Sequence, residues 1–266
     1  MSGEARGVRL GTVEKTLLWT VYIKVLDFRN DPPLLGDAWA VDTLDRLKFD
    51  RRVLRGVGGD RNLVLLRARR IDDWARRWIA ENPAGTVLHL ACGLDSRALR
   101  LGRPREGRWF DLDLPNVVEL RQGLLPEPEG YRLLAGSVTE PDWLGEIPSD
   151  APVLIIAEGL IEYLSPDRTR LLLDRLVERF PQGGEIVFDT VPGWVSVAAR
   201  AHGVPMFGMD DPRTPERWNP KLRLVQERPL MAEYADVPEW GYRTMYRAFN
   251  TWEPTRSSMR VSRYRF

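Results

Sequence analysis

An apolar run that stops at a turn of small residues, with an acid two residues beyond the turn's glycine, is how an α/β fold brings its main chain against a nucleotide-type cofactor. The stretch Thr86-Val-Leu-His-Leu-Ala-Cys-Gly-Leu-Asp-Ser-Arg97 has this form. Ala91-Cys92-Gly93 is the turn, where small side chains let a ligand approach the backbone, and Asp95 follows. In open parallel sheets the ligand lies beyond the C-terminal strand ends, and an acid about 20 residues further on meets ribose hydroxyls. Phe110-Asp-Leu-Asp-Leu-Pro115 supplies that acid, with Asp113 placed 20 residues after Gly93 and Asp111 as the less favoured candidate. A dinucleotide fingerprint needs further small residues in the turn. Here Ser96 takes the third position and the turn has a single glycine, which disfavours a pyrophosphate ligand. On these residues alone a nicotinamide enzyme stays open, as does an ordinary strand–helix turn.

The elements that must position this turn are legible around it. The first eighty residues read as helical. Glu14–Phe28 and Leu63–Ile79 carry broad apolar faces, Asp37–Leu47 is amphipathic, and Asp31-Pro-Pro33 breaks the chain between the first two. After Gly85 short apolar runs alternate with helical stretches. Strands are expected over Thr86–Leu90, Arg108–Leu112, Tyr131–Ala135, Val153–Ala157 and Glu185–Asp189, with helices over Arg97–Leu101, Leu114–Leu125 and Pro166–Phe180. That alternation predicts a parallel sheet with crossover helices. Lys221–Pro229 and Met259–Phe266 alternate in polarity and are expected as antiparallel edge strands, giving seven in all. Val191–Asn219, rich in Gly, Pro, Met and aromatics, is long for a plain loop and is expected to be a lid. The chain is therefore expected to be a single domain, residues 1–266, with a helical cap over 1–80 and a cofactor-binding core over 81–266.

Composition narrows the class. A hydrophobic content of 43% beside 29% charged residues fits a water-soluble globular protein. A net charge of +1 offers no basic field for nucleic acid. No apolar run approaches the roughly 18 residues of a membrane span, and Met1–Gly7 lacks the pattern of a signal peptide. One cysteine, Cys92, excludes an internal disulfide and suits a reducing cytoplasm. Two histidines and one cysteine do not build a four-ligand zinc site, so no metal is expected.

His89-Leu-Ala-Cys-Gly-Leu-Asp-Ser-Arg97 resembles the Leu-Gly-x-Gly-Leu-Asp-Thr-Arg signature of the leucine carboxyl methyltransferase-like family, whose members include O-methyltransferases of tetracenomycin-type polyketide pathways. Trp109–Arg121 is similar to the family's second block, Ala157-Glu-Gly-Leu-Ile-Glu-Tyr-Leu164 to its Glu-Gly-x-x-x-Tyr-Leu block, and Leu66-Arg67-Ala68-Arg69 to its arginine helix. The resemblance spans Leu63–Leu164 and continues loosely through Phe188–Val191 and Met209–Pro212. It implies a Rossmann-like class I methyltransferase fold and S-adenosylmethionine as cofactor, with S-adenosylhomocysteine as product. It also implies roles. Arg67 pairs with the cofactor carboxylate, Gly93 lies under the methionine moiety, Asp113 holds the ribose, Ser137 and Val138 border the adenine, and Glu158 faces the ammonium and sulfonium. Ala91, Asp95, Leu114 and Gly159 complete the implied cofactor set, and Tyr163 walls the mouth. Two positions depart from the family: Ala91 replaces its first glycine, and Ser137 replaces an acid.

Plainer roles stand beside these. Arg67 sits among other arginines and suits a solvated face. Asp113 would serve as a helix cap. Cys92 suits a small filler, His89 a core position, and His202 either the acceptor site or the surface. Methyl transfer mainly requires alignment of a nucleophile and exclusion of water. A carboxylate acceptor needs no base, whereas a phenol of pKa about 10 would draw on His202 or Glu162. The sequence thus points to an O-methyltransferase of a small-molecule carboxylate, acidic phenol or enol of secondary metabolism, with Tyr163 and His202 as catalytic candidates. A non-methylating enzyme such as a cyclase on the same scaffold, or a protein that has lost cofactor affinity, are the rivals. Acceptor, regiochemistry and oligomeric state are not encoded in any motif.

Overall fold

The computed structural model describes residues 12–56 and 60–266. Met1–Gly7 and parts of the expected cap lie outside them.

The strands β1 (Thr86–Leu90), β2 (Arg108–Asp113), β3 (Tyr131–Ala135), β4 (Val153–Ala157), β5 (Gly184–Thr190), β6 (Arg223–Pro229) and β7 (Arg260–Arg265) form one seven-stranded sheet in the order β3-β2-β1-β4-β5-β7-β6. The first five are parallel, and β7 runs antiparallel between β5 and β6. β1 and β4 are buried at all five of their positions, as expected for central strands covered on both faces. The chain order reverses between β1 and β4, and the resulting crevice lies beyond Leu90 and Ala157.

Most element boundaries follow the sequence pattern, and the differences have local causes. β5 is longer than its apolar run because β7 pairs with it from Glu185↔Arg265 to Thr190↔Arg260. The helix after β2, α5 (Pro115–Arg121), stops short of Leu125: Arg121 turns inward, and Gly123 adopts φ +80°.

One face of the sheet packs Leu88, Phe110, Ile155 and Phe188 against α6 (Pro166–Arg179), whose Leu172, Leu173 and Leu176 are buried. The Ser165 hydroxyl accepts from the Arg168 amide, and Pro166 opens the first turn, so the start of α6 follows from the sequence. The other face packs Val87, Trp109, Leu154 and Val187 against α3 (Asn62–Glu81), which contributes Leu66, Ile71, Trp74 and Trp78. The late helices α9 (Trp240–Phe249) and α10 (Glu253–Arg256) precede β7, and Tyr246 of α9 joins this second core.

A third, small core joins α1 (Thr12–Phe28) to α2 (Ala38–Arg46) through Val21, Val25, Ala40 and Leu44, and includes Leu94 from the turn after β1. The sharp bend between these helices is held by Asp27, whose carboxylate accepts from the amides of Leu34, Leu35 and Gly36 at 2.8–2.9 Å. Through Leu94 the N-terminal helices dock on the turn that ends β1.

The segment Val191–Asn219 contains two helices, α7 (Gly193–Ala201) and α8 (Thr214–Trp218). Its second half is tied to the core. The Met209 amide donates to the Val191 carbonyl, the Tyr264 hydroxyl to the Pro212 carbonyl, and Asn219 to Asp174. An exposed face remains on α7, with Trp194 and Val197 more than half exposed.

Candidate active site

A cleft opens at the β1/β4 crevice. It is lined by the turn Ala91–Asp95, by Glu158, Gly159, Glu162 and Tyr163 after β4, by Arg67 and His89, and by Leu17, Thr20, Val21 and Lys24 of α1. Seven residues expected at a cofactor or catalytic site therefore meet here: Arg67, Ala91, Gly93, Asp95, Glu158, Gly159 and Tyr163.

The turn is built tightly. Ala91 has φ +50°, the single positive value outside glycine among the described residues, and Gly93 has φ +54°. The left-handed conformation costs an L-residue about 1–2 kcal/mol. Glycine escapes that cost; Ala91 bears it. A Cβ on Gly93 would lie 2.7 Å from Leu17 Cδ2, so α1 closes directly over this glycine. Arg121 holds the turn from behind, donating to the carbonyls of Gly93 (3.0 Å) and Asp95 (2.6 Å) and to Asp111 (2.6 Å).

The choice between Asp111 and Asp113 is decided by their partners. Asp111 is buried and accepts from Arg121, the Tyr131 hydroxyl and the Trp109 indole, so it is a structural brace. Asp113 accepts from the Gly93 amide at 2.6 Å and the Leu114 amide at 2.7 Å. The acid and glycine 20 residues apart are thus bonded to each other at the strand ends. Burial raises the Asp113 carboxyl above its usual range against these two amide bonds. Each of its oxygens keeps a lone pair for a further donor.

Below the cleft floor runs a charge network. Arg67 bonds Glu158 at 3.0 Å and Asp189 at 2.7 Å, with Glu162 at 3.7 Å. Arg97, fully buried at the start of α4 (Arg97–Leu101), bonds Asp72 at 2.7 Å and Glu158, and approaches Asp95 at 3.3 Å. Asp95 also pairs with Lys24 at 2.7 Å and with Arg100 at 2.5 Å. Burial by itself would raise the Glu158 carboxyl, but the Arg97 and Arg67 guanidiniums overturn it and hold the group at about 2. Arg100, Lys24 and Arg97 likewise hold Asp95 well below the carboxylate range despite its burial. Glu162 behaves oppositely: burial, reinforced by the Asp189 charge, pushes it up to about 8. The Tyr163 phenol at the mouth is raised by burial and by Glu162, so it is a hydrogen-bond donor at neutral pH.

Arg97 also fixes His89. A guanidinium only donates, so its 3.2 Å contact to His89 Nε2 makes that nitrogen an acceptor and places the ring proton on Nδ1. Burial keeps the Cys92 thiol well above its ordinary pKa, as expected of a filler.

Other expected residues lie off this lining. Leu114 is largely exposed beyond β2, and Val138 packs against the core. The Ser137 and Thr139 hydroxyls are 2.8 Å apart on the loop after β3. His202 caps the end of α7, exposed, with Nδ1 2.9 Å from the Ala198 carbonyl. The structure does not bring His202 to the cleft, because the α7 backbone claims its ring.

Lys24, Asp189 and Arg121 were not singled out by sequence. Asp189, an acid ending an apolar strand as Glu158 does, carried a usable signal, and its second oxygen accepts from the Gly159 amide at 2.7 Å. Lys24 and Arg121 looked like ordinary charges on helices; only the packing of α1 and α5 turns them inward.

Comparison with known proteins agrees with this geometry. The family model for leucine carboxyl methyltransferase matches residues 31–136. The chain is 40% identical over 245 residues to the tetracenomycin polyketide synthesis O-methyltransferase TcmP of Streptomyces glaucescens, covering 88% of this chain and 90% of that protein. It is 33% identical over 263 residues to the S-adenosyl-L-methionine-dependent methyltransferase dpfgK of Gibberella zeae, covering 88% of each. Among solved structures, a Thermobifida fusca protein, itself only proposed to be a methyltransferase, superposes with a TM-score of 0.59 at 15% identity, over 96% of this chain and 99% of that one.

Proposed function

The chain belongs to the leucine carboxyl methyltransferase family and is an S-adenosylmethionine-dependent methyltransferase; from this premise we propose that it transfers the methyl group to an oxygen of a small-molecule acceptor, a carboxylate or acidic phenol or enol of a polyketide or related metabolite. The observation that carries the site assignment is the hydrogen bond by which Asp113, at the end of β2, holds the amide of the cleft-lining Gly93. The name of the TcmP relative supports the acceptor class.

The residues present fit the cofactor. Arg67 spends Nε on Glu158 and Nη1 on Asp189 and turns Nη2 towards the Gly159 backbone at the cleft lining, so its remaining N–H donors suit a carboxylate. Asp113 offers its remaining lone pairs to two ribose hydroxyls, with Leu114, Ser137 and Val138 bordering the base. Glu162 offers an unpaired carboxyl oxygen. Asp95 and Glu158 act indirectly, by holding Arg97, Arg67 and Lys24 in place. When bound, the cofactor supplies an electrophilic methyl group on a sulfonium.

The protein's own work is alignment and exclusion of water. α1 roofs the turn through Leu17, Thr20 and Val21, and Tyr163 stands at the mouth beside Phe207, whose amide donates to the Glu162 carbonyl at 2.7 Å. Gly208 packs against Gly193, bringing α7 and its exposed Trp194 next to that rim. This aromatic edge suits a flat, unsaturated acceptor. The imidazole that lines the cleft, His89, has its Nε2 engaged by Arg97. An acceptor already ionised at neutral pH, a carboxylate above all, therefore suits the site best. Among the described residues no helix is long and apolar enough to cross a membrane, and a cytoplasmic enzyme of one domain, with 191–219 as its acceptor-side cover, fits this function.

The test is incubation with S-adenosylmethionine and a panel of aromatic carboxylates and phenols, followed by mass spectrometry. The expected result is methyl ester formation matched by S-adenosylhomocysteine. Cofactor binding without a methylated product across the panel would favour the cyclase alternative.

A further inference from the structure

On the assignment of this cleft to S-adenosylmethionine, we propose that Glu162 is the acceptor for the cofactor's amino group, which it receives through Oε2. The other carboxylates at the cleft are already satisfied. Asp95 has Lys24, Arg97 and Arg100; Glu158 has Arg67 and Arg97; Asp189 has Arg67 and the Gly159 amide. The Glu162 side chain is 3% exposed, its nearest cation is Arg67 Nη1 at 3.7 Å, and its Oε2 has no hydrogen-bond partner among the described residues. A buried polar atom without a partner is costly in a native protein and calls for one. Glu162, on the 3-10 turn Ile161–Tyr163, is among the residues lining the cleft, and the Phe207 amide fixes its backbone. An ammonium group, with three N–H donors and a full charge, is the complement of what is left over.

The charges facing Glu162 set a proton consequence. Arg67 faces it from α3, Asp189 from β5, Glu158 from the end of β4, the Tyr163 phenol from its own turn, and Lys24, bound to Asp95, lies across the cleft on α1. Burial with the Asp189 and Glu158 charges outweighs Arg67, so the carboxyl, raised to about 8, is largely protonated at neutral pH. An ammonium seated on Oε2 favours the ionised form, and the displaced proton leaves to solvent. The complex then holds fewer protons than the free protein below about pH 8. By linkage, affinity rises as pH increases towards that value, by at most about tenfold per pH unit, and levels off above it.

The experiment is calorimetric titration of the full chain with S-adenosylhomocysteine, which has the same amino-acid tail, between pH 6.5 and 8.5 in buffers of different ionisation enthalpy. Wild type is expected to release up to about one proton at pH 7 and to bind several-fold more tightly at pH 8. Glu162→Gln is expected to abolish that release beyond the ligand's own ionisation, to flatten the pH profile, and to bind more weakly at pH 8. Binding by wild type with no proton release, or with the same release in Glu162→Gln, would overturn the assignment of Glu162 while leaving the cofactor site standing. Absence of any binding at millimolar ligand would sink both. Should Glu162→Gln fail to fold, the wild-type proton count decides, and Glu162→Met supplies the unprotonatable comparison.

Discussion

Asp113 and Arg67 both read in the sequence as site residues, yet the structure gives them different local tasks. Asp113 binds the Gly93 amide and so joins the ends of β1 and β2. Arg67 is anchored by two carboxylates, leaving only part of its guanidinium for a ligand. Replacing Asp113 by Ala removes two ribose acceptors and loosens the turn. Hydrogen bonds to a charged group contribute about 1.5–3 kcal/mol each, so S-adenosylhomocysteine affinity is expected to fall at least about tenfold, read by calorimetry. An unchanged dissociation constant would remove Asp113 from the site. The spacing of Asp113 from Gly93 was legible because strand and crossover lengths are nearly fixed in such folds. The pairing of Glu158 with Arg97 and Arg67 was not, because it depends on side chains 61 and 91 positions away.

At the scale of elements, the strands were legible from their buried apolar runs and α6 from its Ser165–Pro166 start. The closeness of α1 to the turn was not: its pattern shows an apolar face without saying what that face covers. Gly93 reports the contact, since its left-handed φ disfavours a side chain and the end of Leu17 lies 2.7 Å from where a methyl group would stand. Gly93→Ala is therefore expected to cost about 1–2 kcal/mol from backbone strain and to push the Leu17 side chain aside, lowering the thermal midpoint and weakening cofactor binding together. Ala91→Gly, which removes the same kind of strain nearby, is expected to leave folding intact without loss of cofactor affinity. A Gly93→Ala protein with wild-type melting and binding would show that neither the backbone strain nor the Leu17 contact matters at this turn. The segment 191–219 was expected as a lid. Its second half is tied to the core by Met209, Pro212 and Asn219, which leaves α7 as the part with an exposed apolar face.

For the whole molecule, the buried network makes stability depend on pH from both sides. The Glu158 and Asp95 carboxyls have folded pKa values below their unfolded ones. Their contribution is complete above the unfolded values near 4 and is lost as pH falls towards about 2. Glu162 has the opposite sign: the folded state holds its proton more tightly, so stability declines as pH rises from the unfolded value towards about 8. Urea unfolding of the empty protein is expected to be most resistant near mildly acidic pH, with a sharp loss below pH 4. The advantage of Glu162→Gln over wild type should grow between pH 5 and 8.5; a constant difference would contradict the neutral carboxyl.

The central claim is that the cofactor lies in the β1/β4 crevice beneath α1, and a crystal structure with S-adenosylhomocysteine tests it most directly. The account predicts the ribose hydroxyls on Asp113, the carboxylate at Arg67 and the amino group within hydrogen-bond distance of Glu162 Oε2. A ligand bound away from Asp113 and Arg67 would contradict it.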